Sequence, residues 1–182
     1  MALQLTESYL EDSRTLFRYY KGLAERAMAQ VRDENLFVAL DGESNSIAIV
    51  VKHIAGNMRS RWTDFLTTDG EKPDRNRDGE FVEPPATREA LLEIWEHGWA
   101  CLFRSVDSLT EADMSRTVMI RGEAHSVMQA ISRQMAHYTY HIGQIVVLAK
   151  HFANDDWRAL TIPKSRSAEF NQAVAAKEAS QR

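Results

Sequence analysis

The feature that most constrains this chain is a long helical pattern near its C-terminal end. Ser126-Val-Met-Gln129 is a capping box, in which the Ser hydroxyl and the Gln side chain satisfy two backbone donors that a helix start leaves free. From there Val127, Ile131, Met135, Ile142, Ile145, Leu148, Ala149 and Phe152 recur at helical spacings and mark one buried face. About 26 residues at ~1.5 Å each make a rod of roughly 39 Å, around which the rest of the chain has to be organised.

Three more amphipathic stretches are available to cover it. From Thr6, the positions Leu10, Ser13, Leu16, Phe17, Tyr20, Leu23, Ala24, Ala27, Met28 and Val31 trace a first helix. Turn and cap residues at Asp41-Gly-Glu-Ser-Asn-Ser46 open a second, with Ile47, Ile49, Val50, Val51, Ile54, Met58, Trp62, Phe65 and Leu66. It is apolar nearly all round at its start, so that end is expected to be central. Thr87 caps a third, with Leu91, Leu92, Trp95, Trp99, Leu102, Phe103 and Val106. Thr110-Glu-Ala-Asp113 reads as a capping box for a short turn, and Thr117 to Glu123 as a brief extended segment turning at Gly122. Asn154 to Trp157 ends the long helix, Pro163 breaks the chain, and Ser167 to Lys177 is a last short helix. The expectation is an all-α fold: one domain over 1–182, a four-helix bundle with a long crossover loop and a short C-terminal helix, its tail frayed from about residue 172. The crossover, from Thr67 to Pro85, is long enough to act as a lid on a site.

The 182 residues carry 22 Lys+Arg against 26 Asp+Glu, a net charge of -4, which gives no footprint for nucleic acid or an anionic membrane. A single cysteine, Cys101, among Trp99, Leu102 and Phe103, reads as a buried small apolar side chain in a reducing compartment. With no leader pattern and no apolar run near 18 residues, a cytoplasmic protein is expected.

Within the long helix lies His137-Tyr-Thr-Tyr-His141. Four residues rise about 6 Å and turn about 400°, so the two imidazoles project from one face as a clamp for a metal ion. Zinc-type ions want at least three protein ligands, and His53, on the apolar second helix, is the best third. The alternative is three core histidines that only hydrogen-bond to neighbours. His97 reads as solvated, His125 as a loop residue before an N-cap, and His151 as a partner of the helix dipole. Tyr138, Tyr140 and Gln144 flank the clamp, as core residues or ligand-orienting ones. Arg59 and Arg61 fit a solvated face better than a carboxylate site.

Val51-Lys-His-Ile-Ala-Gly-Asn-Met-Arg-Ser-Arg-Trp62 and Met135-Ala-His-Tyr-Thr-Tyr-His-Ile-Gly-Gln144 resemble the DinB-like and YfiT-like superfamily of metal-dependent enzymes, in a bacterial branch of unknown function. The resemblance covers about Thr6 to Phe170. It implies a four-helix bundle, a homodimer, and metal ligands at His53, His137 and His141, with zinc or nickel as the ion. It also implies a low-molecular-weight thiol as partner, since relatives include thiol-using transferases and isomerases. Three neutral imidazoles leave a coordination position open, where water or a thiol becomes more acidic. The Glu of the His-Glu-x-x-His peptidases is missing, which disfavours peptidase chemistry. A thiol-dependent transferase or hydrolase is therefore expected, the competing reading being a non-catalytic metal-binding or protein-interaction bundle. Helix two, apolar on more sides than one bundle can bury, also points to a dimer.

Overall fold

Helix starts follow the caps written in the sequence. In the computed structural model, which describes residues 5–180, the helices are α1 (Leu5–Met28), α2 (Ile47–Trp62), α3 (Arg88–Ser108), α4 (Val127–Ala153) and the short α5 (Ser167–Ala175). Ser46 and Thr87 accept hydrogen bonds from the Ile49 and Ala90 amides, each at 3.2 Å, at the starts of α2 and α3. The Ser126–Gln129 capping box opens α4, and Thr110–Asp113 forms the second box on a short 3-10 turn. The tip of the expected polar tail, and the first residues read for a leader, lie outside the described residues. No described helix is long and apolar enough to cross a membrane.

Helices α1 to α4 form an all-α bundle whose centre is aromatic. Each contributes a fully buried ring that meets the others there: Phe17, Trp62, Trp99 and Tyr138, with Trp95 of α3 buried beside Trp99. Phe17 lies 6.0 Å from Trp62, 6.5 Å from Trp99 and 6.1 Å from Tyr138, centroid to centroid, in edge-on and tilted pairs, the arrangements that ring quadrupoles favour. The Trp62 indole donates to the Tyr138 hydroxyl, which donates to Asn57 Oδ1, both at 3.0 Å. Those bonds satisfy the polar ends of two buried rings and fix the register of α4 against α2.

Helix α2 is central, as its all-round apolarity predicts. Its main neighbours among the described residues are α3, α4 and two 3-10 turns, Asp33–Phe37 and Asp78–Phe81. The approach of α3 is backbone to backbone: a Cβ on Gly98 would stand 2.9 Å from the Ala55 Cα. Phe65 and Leu66 do not prolong α2, contrary to the pattern-based reading. The chain turns extended at Thr63 and left-handed at Asp64 (φ 47°), which ends the helix while leaving Phe65 buried.

The segment read as briefly extended is a true antiparallel hairpin, β1 (Thr117–Ile120) and β2 (Glu123–Ser126), paired from Thr117↔Ser126 to Ile120↔Glu123. Arg121 and Gly122 form its tip with φ of 55° and 76°, the left-handed pair that a tight hairpin turn needs. His125 therefore sits in a strand opposite Val118, and not in a loop. The Asp69 carboxylate holds the tip to the crossover, accepting from the Glu71, Arg121 and Gly122 amides at 2.7 to 2.8 Å.

Candidate metal centre

Tyr138 and Asn57 do more than fill the core. Each lies within a turn of a histidine, Tyr138 beside His137 and Asn57 four residues after His53, so their hydrogen bond brings α2 and α4 together at the histidines. His53, His137 and His141 accordingly form one cluster, with a ligand nitrogen from each within 4.8 Å of the others. Ring centroids are 4.7 to 5.2 Å apart. His53 Nε2 and His137 Nε2 stand 3.2 Å apart. Two imidazole nitrogens on one tetrahedral ion with bonds of about 2.05 Å would be roughly 3.3 Å apart, so the pair has the spacing that an ion imposes. The remaining histidines stay apart, His97 and His151 being exposed.

The crossover builds the other wall. Lys52 donates to the carbonyls of Gly79 and Val82, at 2.7 Å each, and of Glu83, at 3.1 Å. That grip lays the Asp78–Phe81 turn against the next residue, His53. Phe81 stacks on the imidazole at 4.5 Å, and Glu80 Oε2 lies 2.9 Å from His53 Nδ1. An ionised carboxylate only accepts, so Nδ1 carries the proton and Nε2 presents its lone pair to the cluster. Gln144 Oε1, 3.0 Å from His141 Nδ1, fixes that ring in the same sense. Carboxylate or carbonyl partners on the far nitrogen are the usual way to orient a metal-ligating imidazole, and the donor set fits a divalent ion.

Sequence reasoning missed Glu80 and the ion pairs behind it. Arg75 grips Glu80 with two hydrogen bonds, 2.8 and 2.9 Å, and reaches Glu71 at 3.1 Å. Arg61, expected on a solvated face, is buried and bound to Glu71 at 2.7 Å and to the Gly70 carbonyl. Arg59 is exposed, as expected, and so is Tyr140, while Tyr138 is core. Cys101 is half-buried, its thiol 3.3 Å from the Thr63 hydroxyl: it lies at an edge of the core facing a polar partner rather than inside it.

The family model for a protein of unknown function, DUF1572, matches residues 4–166, most of the chain. The chain belongs to the DUF1572 family. No curated protein matches it.

The protonation states in this DUF1572 protein suit metal binding. Burial first, then the neighbouring His141 and His53 and the charges of Arg61 and Arg75, push His137 down to about 3. Burial and His53 also lower His141, against the opposing Gln144 bond. Burial raises Glu80, but the hydrogen bonds from His53 and Arg75 outweigh it and hold the carboxyl below its usual range. Both lowered histidines are neutral at pH 7. A histidine whose folded pKa is depressed lets the unfolded chain bind more protons, so its contribution is complete above its unfolded pKa of 6.5 and lost as pH falls toward the folded value. Thermal melts in chelator should therefore show stability falling from about pH 6.5 toward pH 3, at up to about 1.4 kcal/mol per pH unit from His137, with His141 adding to the decline in the same direction. His137→Gln should flatten that decline, and an unchanged slope would contradict the assignment.

Proposed function

We propose that this chain is a DinB-like metal-dependent enzyme, in which His53, His137 and His141 hold zinc or nickel and a low-molecular-weight thiol or water attacks a small electrophile. The observation that carries the reading is the orientation of the histidines around an open cavity of about 430 Å³, the size of a small-molecule site. When bound, a divalent ion supplies an open coordination position that makes a thiol or water more acidic. Glu80 and Gln144 hold the lone pairs of His53 and His141 toward that position. Phe81 covers one face of His53 and keeps water from it.

The cavity lining contains no carboxylate among the described residues. A proton released there has no nearby general base, which favours a thiol, already acidic at about pH 8.5, over water. Such thiols are abundant and reduced in the cytoplasm, where we place the protein. Zinc-loaded protein, offered several thiols and a chromogenic electrophile, should transfer the thiol faster than His137→Ala. The advantage should be largest below about pH 8.5, where the free thiol is mostly protonated. Equal rates for both proteins with every thiol and with water would favour a non-catalytic metal-binding bundle.

We also propose a homodimer, on a face other than α2, whose apolar sides are covered within the chain. Tyr140 and Val147, 65% and 67% exposed and seven residues apart on α4, offer the apolar strip. Sedimentation should give twice the chain mass for the wild type and the chain mass for Val147→Glu. A concentration-independent monomer would rule the dimer out.

A further inference from the structure

Around the histidines the cavity is lined by five arginines, Arg61, Arg75, Arg77, Arg121 and Arg133, in a chain whose net charge is -4. Arg61 and Arg75 are committed to the buried carboxylates described above. The other three reach the mouth from three separate elements: Arg77 from the crossover, Arg121 from the hairpin tip, and Arg133 from α4, one turn before His137. Arg77 lies 5.2 Å over the ring of Phe81, and the Asp78 carboxylate 3.9 Å away has a side chain 99% exposed to solvent. Among the described residues the Arg121 guanidinium pairs with Glu71 at 3.2 Å, a carboxylate already shared by Arg61 and Arg75. Arg133 pairs with no carboxylate among the described residues. Beside it Gln134 is buried, lines the same cavity, and has a side-chain oxygen without a partner.

Arginines along one helix face are usually just solvated. Convergence from three elements on a concave site is different, because low-dielectric walls focus the field of like charges inside a cleft. Five guanidiniums outnumber the nearby carboxylates of Glu71, Glu80, Asp69 and the solvent-exposed Asp78, so the cavity is net positive before the two charges of a divalent ion. Guanidinium forks match the oxygens of carboxylate and phosphate groups.

We propose that the substrate is a small anion, a molecule whose carboxylate or phosphate group is held at the mouth by Arg77, Arg121 and Arg133. An N–H or O–H of the same molecule donates to Gln134, and its other end faces the histidines. The inference rests on the proposed metal chemistry for what happens at that end, while the capture of charge uses the arginines alone.

Titration calorimetry on the full chain, zinc-loaded and chelator-stripped, would use inorganic phosphate and succinate as separate probes. One or both should bind more weakly as salt rises, and the preferred probe identifies the charged group. Arg133→Gln and Arg77→Gln, both at exposed positions that leave the fold intact, should each weaken binding about tenfold, the loss expected for one charge-assisted hydrogen bond. Lys150→Gln, at the far end of α4, should change nothing. No binding of either probe, or equal affinity in wild type and both arginine variants, would overturn the inference. Zinc uptake without probe binding sinks the anion site and leaves the metal reading standing, whereas probe binding without zinc uptake does the reverse.

Discussion

Zinc at about a thousandfold excess over its Kd should raise the melting temperature of the metal-free protein by roughly 8–16 °C, and His137→Ala should abolish the rise. Binding to the folded state alone contributes about 4 kcal/mol at that excess, and a domain of this size shifts by about 2–4 °C per kcal/mol. The same substitution should cost far less in chelator. His137 carries a buried Nδ1 without a partner, and its Nε2 faces another ring nitrogen at 3.2 Å. Removing it deletes one unpartnered polar atom together with its packing and one ring-to-ring hydrogen bond. A variant damaged equally with and without zinc would mean that the imidazole is a packing element. His97→Ala, at an exposed position on α3, is the control that should keep the full zinc response.

The largest loss of intrinsic stability is expected at Glu80. Its side chain is 8% exposed, and it neutralises Arg75, which is 3% exposed. Breaking a buried ion pair from one side typically costs about 3–5 kcal/mol, because the remaining charge stays buried without its partner. Denaturant melts of Glu80→Ala should show a loss of that order. Glu80→Gln keeps the shape but accepts more weakly from His53 Nδ1, and should lower zinc affinity by about 10–100-fold. Gly56→Ala offers an independent check, since a Cβ there would lie 2.5 Å from Glu80 Oε1. Ala for Gly inside a helix ordinarily stabilises by about 0.5–1 kcal/mol. Here the same change should destabilise and weaken zinc binding together, by displacing the carboxylate from α2. A stabilised Gly56→Ala with normal zinc affinity would contradict the role given to Glu80.

The helices and the three histidines were legible because their signals are local. Caps at Ser46, Thr87 and Ser126, three- and four-residue periodicity, and a His pair one turn apart can each be read within a short window. His53 could be chosen because it falls inside a helix that is apolar nearly all round, whereas His97 reads as solvated and His151 lies at the end of α4. Glu80, Arg75 and Glu71 had no such signal. They lie in a charged, turn-rich crossover, and a charge is cheap to bury only when a partner meets it. Arg75 finds Glu71 and Glu80 within five residues, but the partners that tie the crossover to the site come from elsewhere: Glu80 meets His53 across 27 residues, and Glu71 meets Arg61 across 10. Phe81 was the one local hint, an aromatic ring in a polar loop. The hairpin was half legible for a related reason, since its tip is held by Asp69, 52 residues from Arg121. The apolar girth of α2 was read correctly as centrality. As an argument for a dimer it had less force, because the two 3-10 turns that help cover the helix leave little trace in the sequence pattern.

X-ray absorption at the zinc edge, on the full chain loaded with one equivalent of zinc, tests most directly whether His53, His137 and His141 hold the ion. The prediction is three imidazole nitrogens at about 2.0–2.1 Å with one further light ligand, falling to two imidazoles or to no bound zinc in His53→Ala, His137→Ala and His141→Ala alike. A sulfur neighbour at about 2.3 Å, which only a thiolate such as that of Cys101 could supply, or a spectrum unchanged by any of the three substitutions, would contradict it.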